Sequence, residues 1–382
     1  MRSTAAIIAV CSVVAAASYV RSTGAAGARW DAAPAARYLD SRMDLWWTNA
    51  KVLQTGDSQA RCISCHTAVP YALARPALRR ALGETTATPH EARILETAQR
   101  RVASLGNEEP FYTQSEDKKV ESAGVEAVLN AFVLTNHDVD VKATEPSAAT
   151  KAAMAQLWHV QREDGAWNWL NFGLEPYEAP DAVFHGATLA AMAAGTAPGK
   201  QASTTAEGQS GLTRLRAYLH GNVGTQRLFN RAWALLAASR LDGVLTSDQR
   251  EEIVRDLQSR QRPDGGWSLV DMGTWRWNGQ DAPFSGPGET DRELLSAADG
   301  YATGLAVYAL RQAGVKADNP TVVRGQEWLR SHQATETADA AWAPWRAHSL
   351  NFDREHGGPK GEPWRRMFMS DLATAFAVLA LS

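Results

Sequence analysis

The sequence feature that most constrains the fold is a repeated block with fixed internal spacing. QREDGAW at residues 161–167 recurs as QRPDGGW at 261–267, with Gln, Arg, Asp, Gly and Trp in the same places. A degraded third copy runs from Gln333 to Trp342. Internal repeats of this kind indicate an architecture in which each unit buries its apolar face against its neighbours. The chain is therefore predicted to be built from successive copies of one supersecondary unit.

Each block lies between two segments with helical patterns. An amphipathic segment precedes it, and an alanine-rich apolar segment follows after a loop, opening at Asp181, Asp299 or Asp371. One unit is then an outer amphipathic helix, a loop and a closely packed inner helix. The same template predicts further helix pairs near 33–47 and 67–82, 89–105 and 119–136, and 211–221 and 227–241. The predicted fold is all-α, a single α/α toroid of about six hairpins and twelve helices.

The start of the chain resembles a secretory signal peptide. Arg2 is followed by an apolar run at residues 5–20 and by a small-x-small cleavage pattern at 26–28. We expect a signal peptide at 1–28, a single toroid domain at 29–382, and a periplasmic or secreted protein. The apolar run is too short for a comfortable membrane-spanning helix, so no integral membrane domain is expected after cleavage. An uncleaved anchor is the alternative interpretation.

A second motif, Cys62-Ile63-Ser64-Cys65-His66, spells C-x-x-C-H, the attachment signature of a c-type haem. Two thiols at this spacing can bond both vinyl groups of a porphyrin, and the adjacent histidine can ligate its iron. We therefore expect one covalent haem c, held by Cys62, Cys65 and His66, with His66 as the metal ligand. The motif falls at the start of the inner helix of the first predicted hairpin.

Other interpretations of the motif remain open. A structural zinc site normally needs four ligands, and the only other cysteine, Cys11, lies in the predicted signal peptide. A redox dithiol is typical of a βαβ setting, and a small disulfide leaves His66 unexplained. The sixth iron ligand is also open, because a five-coordinate iron would favour chemistry or ligand binding over electron transfer. The candidates for that ligand are His90, His137, Met367 and Met369, or no residue.

The Q-x-x-D-G-x-W blocks and their helical frame resemble the repeats of squalene–hopene cyclases and related terpenoid cyclase and prenyltransferase toroids, over residues 120–382. The resemblance implies an α/α toroid in which the block residues tie loops to helices, namely Gln161, Trp167, Gln261 and Trp267. Asp164 and Asp264 are expected to cap turns. The Asp-rich acid motif of the cyclases and the zinc ligands of the prenyltransferases are not recognisable. The reaction of the family therefore does not transfer with the fold.

In such a ring the inner helices all begin on one rim, which gathers His66 and the three aspartates. The candidate catalytic residues are Asp181, Asp299, Asp371 and His185, the last being one turn beyond Asp181. In the alternative interpretation these residues are purely structural: the three aspartates are helix N-caps and His185 is packed in the core. Helix N-termini at this rim favour anions. Its expected aromatic neighbours are Trp169, Trp275, Trp277, Tyr301, Trp345 and Trp364. A small ligand that is apolar or carries a carboxylate would fit such a mouth.

The main functional hypothesis is an exported haem c protein that acts as an oxidoreductase or an electron-transfer component with an unidentified electron donor or acceptor. One alternative is a haem-free toroid enzyme, cyclase-like or a lyase on a sugar polymer, with the aspartates and His185 as acid and base. Another is a non-catalytic binding module. The formal net charge of −3 and the lack of basic runs argue against a nucleic acid partner.

Overall fold

The computed structural model of the protein describes residues 29–48, 53–54, 57–104, 111–199, 204–275, 297–334, 343–351 and 367–382. Within these ranges the chain forms twelve α-helices and one short antiparallel pair of strands, β1 (Leu53–Gln54) and β2 (Asp57–Arg61). The helices are α1 (Ala32–Thr48), α2 (Ala68–Leu82), α3 (Pro89–Ala103), α4 (Glu116–Asp140), α5 (Ala148–His159), α6 (Ala182–Thr196), α7 (Ala206–Asn222), α8 (Leu228–Ala238), α9 (Ser247–Ser259), α10 (Gly300–Gln312), α11 (Pro320–Ser331) and α12 (Phe368–Leu381). The predicted signal peptide lies outside the described residues.

The helices form two concentric layers. The even-numbered helices make the inner layer, with contacts that run from α2 through α4, α6, α8 and α10 to α12 and back to α2. The odd-numbered helices pack outside them, for example α1 on α2 and α9 on α8. The predicted all-α toroid is therefore confirmed. None of the described helices combines the length and the apolar character that a membrane crossing requires.

The difference between the two layers follows from their sequences. Inner helix α6 is buried continuously from Phe184 to Ala194, because its alanines and glycine let neighbouring helices approach on every side. Outer helix α9 buries only Ile253 and Leu257 and turns its charged residues to solvent. The middle of the ring is packed rather than open. Aromatic side chains fill it, with ring centroids of Trp233 and Phe376 5.3 Å apart.

The tryptophan of each intact block fastens its loop to the preceding outer helix. The Nε1 atom of Trp167 donates a hydrogen bond to the carbonyl oxygen of Leu157, at 2.9 Å, and Trp267 donates to Leu257 at 2.7 Å. Both indoles are buried. Each bond satisfies a carbonyl near the end of the helix, where intrahelical partners are missing. These contacts match the loop-to-helix role that the repeat resemblance implies.

The glutamine of each block reaches the next outer helix around the ring. Gln161 donates to the carbonyl oxygen of Gly211 in α7 at 3.1 Å, and Gln261 donates to that of Thr321 in α11 at 2.9 Å. The aspartates of the blocks accept from the backbone two residues later and so cap their turns, as expected.

The third block differs in register from the predicted one. The Nε1 atom of Trp345 donates to the carbonyl oxygen of Leu329 at 2.8 Å, which is the bond that Trp167 and Trp267 make. The prediction that the third copy ends at Trp342 is therefore wrong, and Trp342 itself lies outside the described residues. Gln333 exchanges two hydrogen bonds with the backbone of Asp31, at 2.6 and 2.8 Å. This glutamine joins the last hairpin to the first and closes the ring.

Candidate functional site

The C-x-x-C-H turn is fixed to the first turn of α2. The hydroxyl of Ser64 accepts hydrogen bonds from the backbone N–H groups of Thr67 and Ala68, at 3.2 and 3.1 Å. These are N–H groups that a helix cannot satisfy internally at its start. From the outer layer, Trp46 donates to the carbonyl oxygen of Cys62 at 2.8 Å. The second residue between the cysteines and a tryptophan of α1 thus hold the motif in place.

Both cysteines and the histidine of the motif line one small cavity. The cavity has a volume of about 40 Å³, and its walls include Tyr112, Trp169 and Tyr177 besides the motif. His66 also lines a second cavity of about 20 Å³, together with Phe368 and Met369 among others. Tyr177 and Glu178 border both spaces. Cavities of this size hold only a few water molecules.

The glycine at position 186 allows this wall to form. A Cβ atom there would lie 2.3 Å from the ring of Trp169, so only glycine lets the indole pack directly on α6. Trp169 in turn donates a hydrogen bond to the carbonyl oxygen of Tyr177 at 2.9 Å. The Tyr177 hydroxyl is hydrogen-bonded to that of Tyr301, on the inner helix α10. The cavity wall is thereby tied into the centre of the ring.

His66 is held by aromatic packing and by a hydrogen bond. Its ring stacks on Phe368 with centroids 3.6 Å apart and meets the edge of Trp46 at 5.2 Å. Its Nδ1 atom lies 3.0 Å from the hydroxyl oxygen of Thr67. That hydroxyl donates to Oδ2 of Asp371 at 2.8 Å. The histidine of the motif is therefore linked to a carboxylate through a single threonine.

Asp371 is completely buried at the seam where α12 meets α1 and α2. Its Oδ1 atom accepts hydrogen bonds from Arg42 Nε at 2.6 Å and from the Tyr38 hydroxyl at 2.8 Å. Burial raises the pKa of Asp371, while the guanidinium of Arg42 and the hydrogen bonds act in the opposite direction. The N-cap alternative is wrong for this aspartate, because the N-cap of α12 is Met367.

The surroundings of the two thiols of the motif favour their protonated form. Cys62 and Cys65 are partly buried and are not joined in a disulfide. Burial raises the pKa of both thiols, and the carboxylate of Glu178 adds to the shift. In the absence of a bound metal or cofactor, these surroundings therefore favour the protonated thiols. Among the described residues, no group of three His, Cys, Asp or Glu side chains is placed to hold a metal ion.

Asp299 and Asp181 line neither cavity. Asp299 caps α10, accepting from the N–H groups of Tyr301 and Ala302 at 2.9 and 2.8 Å and from that of Leu269 at 2.7 Å. Burial raises its pKa to about 6. Asp181 precedes α6 without making a side-chain cap bond, and pairs instead with Arg227. Asp371 is therefore the predicted aspartate that contacts the motif, through Thr67.

His185 lies in the packed centre of the ring, behind the wall of the first cavity. Its ring is 4.9 Å from that of Tyr177 and 4.5 Å from that of Trp233, between centroids. Its Nδ1 atom is buried and has no hydrogen-bond partner within the described ranges. Burial lowers its pKa to about 3. His185 is thus a neutral core histidine in this structure.

This environment predicts an acid-sensitive contribution to stability. The folded-state pKa of His185 lies below the unfolded value of about 6.5, so the unfolded chain takes up a proton first as the pH falls. The contribution of His185 to stability should therefore be lost as the pH falls from 6.5 towards 3, by about 2 kcal/mol at pH 5. Asp299, whose raised pKa acts in the opposite direction over this range, is present in both proteins, so the test is a difference. Between pH 7 and pH 5, the free energy of unfolding measured in urea should fall by about 2 kcal/mol more in wild type than in His185→Phe. The exposed His159, replaced by glutamine, is the control and should behave as wild type.

The four candidates for a sixth iron ligand are widely separated. His90 binds Asp44 through Nε2, at 2.9 Å, and lines neither cavity. His137 lies in the last turn of α4, about 18 Å along the helix from the cavity residue Val125. Met367 lines neither cavity, whereas Met369 lines the second one together with His66. Met369 is the candidate that the fold brings to the motif.

Sequence reasoning missed several residues around the motif. Arg42 and Tyr38 lie on outer helix α1, more than three hundred positions before Asp371. Tyr177 lies in a loop and Phe368 at the start of α12, and neither belongs to a recurrent sequence pattern. The feature of the prediction that pointed to these contacts was the closure of the ring, which brings the two ends of the chain together. Among the expected aromatic neighbours, Trp169 lines the cavity and Trp345 makes a block bond. Trp277 and Trp364 lie outside the described residues.

An open groove lies beside Asp181 at the start of α8. Its volume is about 780 Å³, and its walls include the side chains of Arg227, Arg231 and Arg260. Arg227 is held by both oxygens of the buried Glu175, at 2.7 and 2.9 Å, and stacks 4.7 Å over the ring of Trp275. Arginine is the side chain best suited to bind carboxylates. The groove therefore offers a polar surface separate from the two small cavities.

Comparisons with known proteins bear on the fold. No protein-family model and no curated protein matches the chain. Solved structures that share its architecture include the following two. One is a variant of UGL with the saccharide dGlcA-Glc-Rha-Glc, with 13% identity, a TM-score of 0.50, and coverage of 91% of this chain and 94% of that one. The other is the unsaturated glucuronyl hydrolase of Bacillus sp. GL1, responsible for the degradation of glycosaminoglycan, with 13% identity, a TM-score of 0.53, and coverage of 92% and 96%.

These two structures support the ring of helical hairpins over nearly the whole chain. Identity of 13% shows the fold alone, because one fold serves many chemistries. Both structures are glucuronyl hydrolases rather than terpenoid cyclases. The resemblance to squalene–hopene cyclases therefore holds for the toroid fold, and a closer relationship to those enzymes stays a prediction.

Proposed function

We propose that the protein is exported and carries one covalent haem c, serving as an oxidoreductase or as an electron-transfer component. The observation that carries the proposal is that the thiols of Cys62 and Cys65 and the imidazole of His66 line one cavity. No zinc-like cluster of ligands competes for these side chains in the described part of the chain. When bound, the haem supplies one-electron redox chemistry.

The donor set fits a covalently attached haem. Two unpaired thiols stand three positions apart beside an imidazole, and aromatic side chains border the space. The two cavities together are much smaller than a porphyrin, so side chains that border them would have to move to admit a haem. Met369 is the residue we assign as the sixth-ligand candidate. The aromatic wall would exclude water from the group.

The test is expression in a host with haem c maturation. Wild-type protein should show a Soret band and a pyridine haemochrome spectrum, and the haem should stay attached after denaturation. Replacing Cys62 and Cys65 together by alanine should abolish attachment, because no thiol would remain outside the predicted signal peptide. Cys11→Ala is the matched control and should keep the haem. Wild-type protein without haem would overturn the proposal, and bound zinc in its place would favour the metal interpretation.

A second candidate function is action on a glycan that contains an unsaturated uronate. The observation that favours it is the shared fold with two glucuronyl hydrolase structures, together with the arginine-lined groove next to Asp181. A uronate carboxylate matches the small ligand expected from the sequence. Incubation with unsaturated glucuronyl oligosaccharides should then release the terminal sugar. This activity should persist in the double cysteine variant and fall in Asp181→Asn, and its absence from wild type would exclude this candidate.

A further inference from the structure

The order of hydrogen bonds from Asp371 to His66 determines which imidazole nitrogen carries the proton. We propose that Thr67 and Asp371 form a positioning relay that keeps the proton of His66 on Nδ1 and leaves Nε2 as the ligating atom. The identity of the ligand rests on the haem proposal above. The relay itself rests on contacts between side chains that the structure describes.

The first step fixes Asp371 as an acceptor. Arg42 donates to both carboxylate oxygens, from Nε to Oδ1 at 2.6 Å and from a terminal nitrogen to Oδ2 at 3.2 Å. A guanidinium stays charged in proteins, so this paired geometry matches an ionised carboxylate, which only accepts. The neutral Tyr38 hydroxyl donates to the same group, and burial raises the pKa of that tyrosine.

The second step fixes the role of Thr67. A hydroxyl has one hydrogen to donate, and the 2.8 Å bond to Asp371 Oδ2 uses it. Towards His66 the threonine oxygen can then only accept, so Nδ1, at 3.0 Å, must carry the hydrogen. In the neutral form of the imidazole, a hydrogen on Nδ1 leaves the lone pair on Nε2. The chain of three groups thus selects one tautomer of His66.

The third step links this tautomer to a metal. Histidine ligands usually donate their second ring N–H to a carboxylate or carbonyl, which orients the ring and raises its basicity. Here the carboxylate acts through one intervening hydroxyl, and the side chains of Asp371, Thr67 and His66 are all buried. In the haem-free structure, the stack of His66 on Phe368 also restricts ring rotation. Thr67 and Asp371 are therefore positioning residues, and His66 is the group that would touch iron.

Nitrogen-15 NMR of histidine-labelled protein made without haem maturation tests the relay directly. The His66 signals, assigned by their loss in His66→Ala, should show a protonated Nδ1 and a bare Nε2. Thr67→Val keeps the shape of the side chain and removes the hydroxyl, so the Nδ1–H population should fall. Thr67→Ser keeps the hydroxyl and should restore the wild-type pattern. A bare Nδ1 in wild type, or an unchanged tautomer in Thr67→Val, would overturn the proposal.

The haem-loaded protein supplies an independent readout. A weaker electron donation from His66 should shift the midpoint potential of Thr67→Val upwards relative to wild type, with Thr67→Ser close to wild type. Equal potentials in all three proteins would contradict the relay. If no haem attaches to wild type, the haem proposal fails while the NMR result still decides the relay. If the haem-free protein does not fold, the potentials decide it.

Discussion

Replacing Trp267 by alanine is expected to lower the free energy of unfolding by about 3–5 kcal/mol. The indole is buried between its loop and outer helix α11, and a Cβ atom on Gly325 would lie 2.9 Å from its ring. The substitution removes this packing, leaves a cavity, and strips the Leu257 carbonyl of the hydrogen bond it accepts at 2.7 Å. Urea unfolding of the two proteins measures the difference.

Trp267→Phe is the matched control for this result. Phenylalanine retains most of the buried apolar area and loses the N–H donor, so its loss of stability should be smaller than that of alanine. If the protein carries haem as proposed, haem content per folded molecule should not change in either variant, because Trp267 lines neither of the cavities at His66. An unfolding midpoint that stays at the wild-type value in Trp267→Ala would show that the block does not fasten the ring.

The ring could be predicted because its repeats are local patterns. The two intact blocks place Trp167 and Trp267 ten positions after the leucines that they bind, and this regularity is visible in the chain. The third block hides it, since Trp345 follows Leu329 by sixteen positions. A longer loop therefore moved the tryptophan out of the expected place, while the three-dimensional bond stayed the same.

The candidate site was only partly predictable, for a different reason. The motif from Cys62 to His66 is contiguous, so spacing alone identifies it. The partners that position His66 come from both ends of the chain, with Arg42 and Asp371 separated by 329 positions. A closed ring of six hairpins, as predicted, brings the sixth hairpin beside the first. No one-dimensional pattern indicates which side chains meet at that seam, because packing selects them.

That seam is also where the second large effect is expected. Arg42→Met should destabilise the protein by about 3–5 kcal/mol, because it leaves Asp371 buried without its counter-charge. Methionine preserves much of the apolar stem, so the loss reports mainly on the charge. The pair is 5% and 0% exposed. Urea unfolding at pH 7 measures the effect, and adding Asp371→Asn to the variant should recover part of it.

The exposed pair of Arg100 and Glu96 on α3 provides the control. Its side chains are 34% and 66% exposed, and they lie four positions apart on one helix. Solvent screens such a pair, so Arg100→Met should cost at most about 0.5 kcal/mol. Equal losses in Arg42→Met and Arg100→Met would show that the seam does not depend on the buried charge pair.

The deficit of Arg42→Met should also depend on pH. Burial raises the pKa of Asp371, and Arg42 opposes this rise in wild type. Without the guanidinium, the folded-state pKa should move further above the unfolded value of about 3.9. A group with a raised folded pKa contributes stability below its unfolded pKa and loses it as the pH rises through the folded pKa. The variant should therefore lie furthest below wild type at pH 7 and approach it towards pH 4. A deficit that stays constant over this range would mean that Asp371 carries no charge in the native protein, which would also remove the acceptor on which the Thr67 relay depends.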